Sequence, residues 1–224
     1  MEVHEISYEV QSISLEKSSL ILKECSITLN SILKIYDEVH NEPSEKEDLL
    51  RAMFVFASGG LDSLIKQAIK DALALVIENN EGAAKMFTEY VEKDIQTTKK
   101  GDNMVINSKL LAQLLTSENP REELKNRLIY DLTSNSLQSK DQILKIASYF
   151  DIASNSIVDN FSTLNTIFLE RNKIIHEMDI NFDGDNSRNS RNKDQVLTYI
   201  NYLLQIGEKF IYEVDCRLPQ SDVL

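Results

Sequence analysis

Apolar residues recur at spacings of three and four along most of the chain, the pattern of amphipathic helices. The first such run predicts a helix from about Glu5 to Val39. Further helices are predicted at about residues 44–79 and 83–95, with three short ones between 107 and 152 and two more at about 156–178 and 194–212. No strand-like alternation and no internal repeat interrupts them. The pattern therefore predicts an all-α bundle of about seven or eight helices.

Local signals mark the breaks between these helices. Ser44 with Glu47 three residues later has the spacing of a capping box at the start of the second helix. Ser117 and Ser139 are predicted breaks or caps, and "TTKKGDN", residues 97–103, is a predicted polar loop. Gly59 and Gly60 lie inside the second helix, where each costs roughly 1 kcal/mol if exposed. A close helix neighbour, a kink or a ligand contact could offset that cost.

Composition limits the classes of partner. A formal charge of -12 over 224 residues argues against nonspecific coating of nucleic acid, which needs many cationic phosphate contacts. The segment from Arg171 to Lys193 departs from this balance, with five positive and four negative side chains. Cys25 and Cys216 lack metal-ligand spacing, and the start of the chain does not resemble a signal peptide. No apolar run is long enough to span a membrane, so we expect a cytoplasmic protein without a membrane partner.

One predicted helix carries a cation on its apolar side. At about 100° per residue, Arg171 falls near the centre of an arc formed by Leu164, Ile167, Phe168, Ile174, Ile175 and Met178. A guanidinium placed there must pair with a carboxylate, reach solvent or line a cleft. Asn172, His176 and Asp179 share the polar flank of the same arc. The tripeptide Arg-Asn-Lys recurs at residues 191–193 without apolar periodicity, which predicts a solvated loop.

The stretch "ERNKIIHE" resembles the R-x-x-x-x-H motif of HEPN domains, all-α modules associated with nucleic acids. The matching residues are Arg171, Asn172 and His176. The segments "LIYDLTSNSLQSKDQILKIASYFDI" and "LNTIFLERNKIIHEMDINFD" are similar to the later half of HEPN families from bacterial defence and toxin loci. The resemblance covers residues 45–214. It implies an N-terminal helix over 1–44 that packs on the bundle and a tail over 215–224.

The resemblance implies a metal-independent endoribonuclease, either a toxin or an antiviral effector, with a composite site in a homodimer. His176 would act as general acid and base, since an imidazole has an unperturbed pKa near 6.5. Arg171 would hold the phosphate and stabilise its developing charge, and Asn172 would orient the imidazole or the phosphate. The implied partners are RNA, a second copy and a cognate antitoxin or defence protein, with no cofactor and no metal. Expected RNA contacts are Lys173, Arg188, Arg191 and Lys193.

Other interpretations remain open at this point. The chain could be a noncatalytic HEPN-like module for dimerisation or RNA binding, or a plain structural bundle in which Arg171 pairs with a carboxylate. Residues 179–184, "DINFDG", match the start of an EF-hand loop, but Ser190 stands where the calcium-binding Glu is required. In one subgroup of HEPN toxins a partner enzyme inactivates the toxin by modifying a tyrosine, which lies two residues after the motif histidine. The residue at that position in this chain is Met178. His4 and His40 receive no role.

Overall fold

A helix of 37 residues, α2 (Pro43–Asn79), runs through the middle of the fold. In this computed structural model, which describes residues 1–39, 43–97, 105–137 and 139–219, most of its faces are covered by other helices. Its buried positions include large aliphatic side chains with no exposed surface, among them Leu64, Ile65, Ile69 and Leu73. Burial of such side chains is the main stabilising contribution to a bundle of this kind.

The other helices pack around α2. Helices α1 (Glu16–Glu38) and α9 (Lys193–Asp215) lie along it and contact each other, and α8 (Phe161–Glu177) covers part of its first half. The remaining helices are α3 (Glu81–Ile95), α4 (Ser108–Thr116), α5 (Pro120–Thr133), α6 (Lys140–Tyr149) and the single turn α7 (Ser154–Ile157). Within the described residues the only strands are a two-residue antiparallel pair, β1 (Gln96–Thr97) and β2 (Val105–Ile106). The all-α prediction is confirmed.

The two glycines of α2 have different surroundings. A Cβ added at Gly60 would collide with the Sγ atom of Cys25 on α1, so the absence of a side chain lets the two helices approach closely. Gly59 has open space where its Cβ would be, with no atom within 4 Å. Close helix approach, one of the predicted explanations, therefore accounts for Gly60 alone.

The N-terminal segment corrects the prediction of a helix beginning near Glu5. Residues before Ile13 form no helix, and a short 3₁₀ turn (Ile13–Leu15) precedes α1. Backbone N–H groups of Ser7 and Tyr8 donate to the carboxylate of Glu208 on α9, at 2.7 and 2.8 Å. Those of Gln11 and Ser12 donate to Asp215 at 2.8 and 3.1 Å. The segment satisfies its donors on α9 instead of within a helix of its own.

Several predicted boundaries also shift. Helix α2 begins at Pro43, so Ser44 lies inside it and does not cap it. Ser139 does cap α6, in a capping box with Gln142. The helix predicted from 156 to 178 is divided into α7 and α8, because the backbone N–H and C=O of Asn160 both bond to the Tyr202 hydroxyl between them. His40 and most of the predicted loop, residues 98–103, lie outside the described residues.

Candidate functional site

Helix α8 carries the three residues of the motif. The side chain of Asn160 accepts a hydrogen bond from the Thr163 N–H at 2.9 Å and caps its start. The helix ends at Glu177, and Met178 then adopts a left-handed conformation with φ of 53°. Asp179 follows with φ of 61°, and its N–H reaches back to the Lys173 carbonyl at 3.0 Å. The left-handed turn therefore begins two residues after His176.

Arg171 is half-buried on the side of α8 that faces α2. Its Nη1 donates to the Oδ1 atom of its neighbour Asn172 at 2.9 Å. Its Nε atom is buried and has no hydrogen-bond partner among the described residues. Burial lowers the pKa of the guanidinium, and the charge of Asp62 on α2 opposes this. No described carboxylate forms an ion pair with Arg171, which contradicts the paired arginine that a plain structural bundle predicts.

His176 and Asn172 are separated by one helical turn. The imidazole lies exposed in the last turn of α8, while Asn172 is half-buried. No hydrogen bond or ion pair joins His176 to another residue in the described ranges. An exposed, unpaired imidazole has both nitrogens available to an external group. Exposed apolar side chains lie on the same helix, namely Phe161, Leu169 and Ile175, with Met178 just beyond its end.

A buried ionic cluster fixes the turn after His176. The carboxylate of Asp179 has no exposed surface and accepts hydrogen bonds from Nε of Arg51 and Nε of Arg191, each at 2.7 Å. The Nη2 atom of Arg191 also donates to Asp179, and the Nη1 atom of Arg191 donates to Glu170 at 2.7 Å. Asn189 bonds to the Asp179 carbonyl through both its backbone N–H and its side chain. This cluster, which we call the Asp179 clamp, ties α2, α8 and the segment just before α9 to the turn.

The clamp has a defined electrostatic balance. Burial by itself would raise the pKa of the Asp179 carboxyl, but the hydrogen bonds from Arg191 and Arg51 outweigh it, so the pKa lies below its ordinary value. Burial likewise opposes the charge on Arg191, and its contacts with Asp179 and Glu170 raise the pKa of the guanidinium above the ordinary range. All these groups are therefore charged at neutral pH.

Comparison with known protein families shows to which family this chain belongs. The model of the RiboL-PSP-HEPN family matches residues 22–215, which is most of the chain. The chain belongs to the HEPN domain family. No curated protein and no solved structure matches it. The match covers α8 and the motif, so the resemblance seen in "ERNKIIHE" is confirmed at the level of the family. The boundaries at residues 44 and 214 stay predictions.

The second Arg-Asn-Lys copy of this HEPN chain is not the solvated loop that we expected. The Arg191 side chain is only 7% exposed and belongs to the Asp179 clamp. Sequence periodicity missed it because its partners, Asp179 and Glu170, lie in other elements. The prediction was therefore wrong for Arg191, although Asn192 does lie exposed as the cap of α9.

The cations expected to contact RNA are all engaged with carboxylates of the same chain. Lys173 contacts Glu170 at 2.9 Å, Arg188 contacts Asp48 at 2.7 Å and Lys193 contacts Asp37 at 2.6 Å. Lys173 and Arg188 are exposed and Lys193 is half-buried, so an RNA phosphate would compete with these pairs. Arg191 is the least accessible of the four.

The position of Asp179 in this HEPN chain does not fit an EF-hand calcium site. The first EF-hand position, Asp179, is fully buried and bonded to two arginines, so its oxygens do not face a cation site. Among the described residues no group of three or more acidic, histidine or cysteine side chains is arranged to hold a metal ion.

No helix in the described ranges is both long and apolar enough to cross a bilayer.

Proposed function

We propose that this HEPN protein is a metal-independent endoribonuclease whose active site combines Arg171, Asn172 and His176 from two copies. The observation that supports it most directly is the state of Arg171. The guanidinium is half-buried, its Nε is unpaired within the described chain, and no described carboxylate forms an ion pair with it, although the charge of Asp62 acts on it. A half-buried guanidinium without an ion-pair partner is costly and is suited to bind an external anion. An RNA phosphate is such an anion.

The directions of the motif residues support a composite site. Arg171 and His176 are about 7.5 Å apart along the helix axis and about 140° apart around it, from the geometry of an α-helix. Arg171 faces the seam with α2, whereas His176 lies at the exposed end of α8. A second copy facing the first would provide a second imidazole and a second guanidinium around one scissile phosphate.

The proposed chemistry needs only these side chains. One imidazole accepts the proton of the ribose 2′-OH, and the oxygen attacks the adjacent phosphorus. The P–O5′ bond breaks, and the leaving oxygen takes a proton from the second imidazole, which begins the reaction protonated, to give a 2′,3′-cyclic phosphate and a 5′-hydroxyl end. Arg171 stabilises the extra negative charge on the phosphoryl oxygens. Asn172 holds the guanidinium through its side-chain oxygen.

The direct test is cleavage of labelled single-stranded RNA by the purified protein in the presence of EDTA. We expect products that end in a cyclic phosphate, and a loss of about 100-fold or more in rate for His176→Ala. Arg171→Gln should also lose activity, whereas Lys209→Ala, on a half-buried lysine that pairs with Asp159, is the control and should not. Unchanged cleavage by His176→Ala, or a requirement for added divalent metal, would refute the proposal.

We infer a biological role as a toxin or antiviral defence effector, which predicts that expression arrests bacterial growth in a way that depends on His176. A noncatalytic module for RNA binding or dimerisation is the second candidate. It is favoured by one observation, that no described group orients His176 within the single chain. Growth arrest that persists in His176→Ala would favour that candidate over the nuclease.

A further inference from the structure

A groove beside the motif lies between the first half of α2 and the end of α8. Its volume is about 570 Å³, within the usual range of small-molecule sites in proteins. The walls are mainly apolar side chains, namely Ala52, Val55, Ile174, Met178 and Ile180. Met178 is 65% exposed, and its flexible, polarisable thioether suits contact with a flat ring. We call this feature the α2–α8 groove.

Charged side chains also line the α2–α8 groove, and they pair with one another. Arg51 is 5% exposed and belongs to the Asp179 clamp. Its Nη1 donates to Oδ1 of Asp48 at 3.0 Å, and Nη1 of Arg188 contacts the same oxygen at 2.7 Å. The Asp48 and Arg188 side chains are 53% and 44% exposed. The exposed rim is therefore a carboxylate beside a guanidinium, a surface pair that can exchange part of its contact for a ligand.

The loop that carries Arg188 is held by backbone contacts. Ile180 and Arg188 lie opposite each other in an antiparallel bridge, and the Asn181 N–H donates to the Ser187 carbonyl at 2.8 Å. The Asp179 clamp fixes the start of this loop against α2. The groove is therefore formed in the free protein, and a ligand binds without the cost of ordering its wall.

Position relates the α2–α8 groove to the motif. Arg171 lies three residues before Ile174 on α8, about 4.5 Å along the helix axis. The Arg171 guanidinium, which forms no ion pair in the described chain, is suited to an anion. The groove instead offers apolar walls and a rim whose two exposed charges are opposite in sign. A ligand that fits both joins an anion to a flat, uncharged group with hydrogen-bonding edges, and a nucleotide has this composition.

We propose that the α2–α8 groove binds the base of the RNA nucleotide whose phosphate lies at Arg171, and that Asp48 and Arg188 select guanine. Guanine presents two adjacent donor nitrogens, N1 and N2, and two adjacent acceptors, O6 and N7. A carboxylate accepts from the first pair, and a guanidinium donates to the second. Adenine, cytosine and uracil lack two adjacent donor nitrogens, so each leaves part of the rim without a partner. This inference rests on the proposed function for RNA as the ligand, and it makes the groove a determinant of the cleavage sequence.

The test is binding of fluorescent single-stranded RNA in which every 2′-hydroxyl is methylated, because such strands cannot undergo 2′-OH attack. We expect a uridine strand with one guanine to bind about 10-fold more tightly than the same strand with adenine, as for a bidentate base contact. This ratio should fall to about twofold or less for Asp48→Asn and for Arg188→Gln, since each removes one of the paired contacts. The matched controls, which should keep the ratio, are Asp159→Asn and Lys209→Gln, a surface ion pair near the opposite end of α8.

Two altered bases assign the individual contacts. Inosine lacks the 2-amino group of guanine, and 7-deazaguanine lacks the N7 acceptor. Inosine should weaken binding to the parent but not to Asp48→Asn, and 7-deazaguanine should weaken binding to the parent but not to Arg188→Gln. An altered base that weakens the parent and the variant equally would refute the contact assigned to that residue.

Stability measurements separate a lost contact from a damaged fold. Thermal unfolding of Asp48→Asn should resemble that of the parent, because Arg51 keeps Glu47 and Asp179. Arg188→Gln changes an exposed loop residue and provides an independent test if Asp48→Asn is less stable.

The outcomes for the groove and for the nuclease can be told apart. No binding, equal binding of the guanine and adenine strands, or a guanine preference that both variants keep overturns the inference. Cleavage in EDTA could still be present in those cases, and the proposed function would stand. GMP that binds as tightly as the guanine strand would show a free nucleotide to be the ligand and would overturn the assignment to RNA. A guanine preference that both variants lose, in a protein that cleaves no RNA, supports the groove and refutes the nuclease.

Discussion

The Asp179 clamp makes a sharp prediction for the substitution Asp179→Asn, which keeps the shape of the side chain and removes its charge. The parent carboxylate is fully buried between two guanidiniums that are themselves 5% and 7% exposed. Removing one partner of a buried ion pair typically costs about 3–5 kcal/mol, since the other charge is left buried without compensation. Here we expect the lower end, about 3 kcal/mol, because Arg51 keeps Glu47 and Asp48 and Arg191 keeps Glu170.

The assay is urea unfolding followed by circular dichroism at neutral pH, with Asp183→Asn as the control. Asp183 lies in the same loop but is exposed, so its variant should unfold at the same urea concentration as the parent. Asp179→Asn should unfold at a clearly lower concentration with a similar slope. A loss below about 1 kcal/mol would show that the cluster contributes no more than a typical single hydrogen bond, and would refute the reasoning.

The same carboxylate predicts a dependence on pH. Its pKa in the folded protein lies below the ordinary value of 3.8. A carboxyl with a lowered folded pKa stabilises the fold above its unfolded pKa, and that stabilisation is lost as the pH falls towards the folded pKa. We therefore expect the free energy of unfolding of the parent to decline more steeply below about pH 4 than that of Asp179→Asn, from the ordinary pKa of an aspartate. Parallel pH profiles would show that Asp179 is not the titrating group.

Two further predictions concern packing away from the motif. Gly60→Ala should destabilise the protein by about 1–3 kcal/mol, because the added methyl group collides with Cys25, and thermal unfolding of this variant will measure it. Stability equal to that of the parent would mean that α1 shifts to make room. Glu208→Ala should increase amide hydrogen exchange at Ser7 and Tyr8, whose N–H groups donate to that carboxylate, while amides in the middle of α8 stay unchanged. Unchanged exchange at the two amides would show that the segment is held by other contacts.

Most helices of the fold could be predicted because their apolar spacing is a local property. The errors occurred where a distant group supplied the hydrogen bonds. Residues 5–12 contain enough apolar positions to continue a helix pattern, but Glu208 and Asp215 accept their N–H groups from about 200 positions away. The Tyr202 hydroxyl likewise holds the break before α8. Periodicity does not detect such long-range acceptors.

The candidate site shows the same division. Arg171, Asn172 and His176 could be singled out because their positions relative to the apolar arc of α8 follow from helix geometry. The Asp179 clamp could not be predicted in this way, since Asp179 accepts hydrogen bonds from Arg51 on α2 and from Arg191 beyond the loop. Helix geometry predicts Asp179 on the polar flank of the helix, yet its side chain is completely buried. Its burial depends on the fold of the loop, which periodicity does not describe.

The clamp also explains why Arg171 keeps its charge available although acidic residues lie close to it in sequence. Glu170 is its immediate neighbour, but that carboxylate is bonded to Arg191 and Lys173. Asp179 is fully occupied by Arg51 and Arg191. Asp62, the carboxylate whose charge does reach Arg171, already accepts hydrogen bonds from Lys66 and from the Leu137 N–H. The arginine of the second Arg-Asn-Lys copy thus pairs with Glu170 and Asp179, and no carboxylate in the described part of the chain forms an ion pair with Arg171.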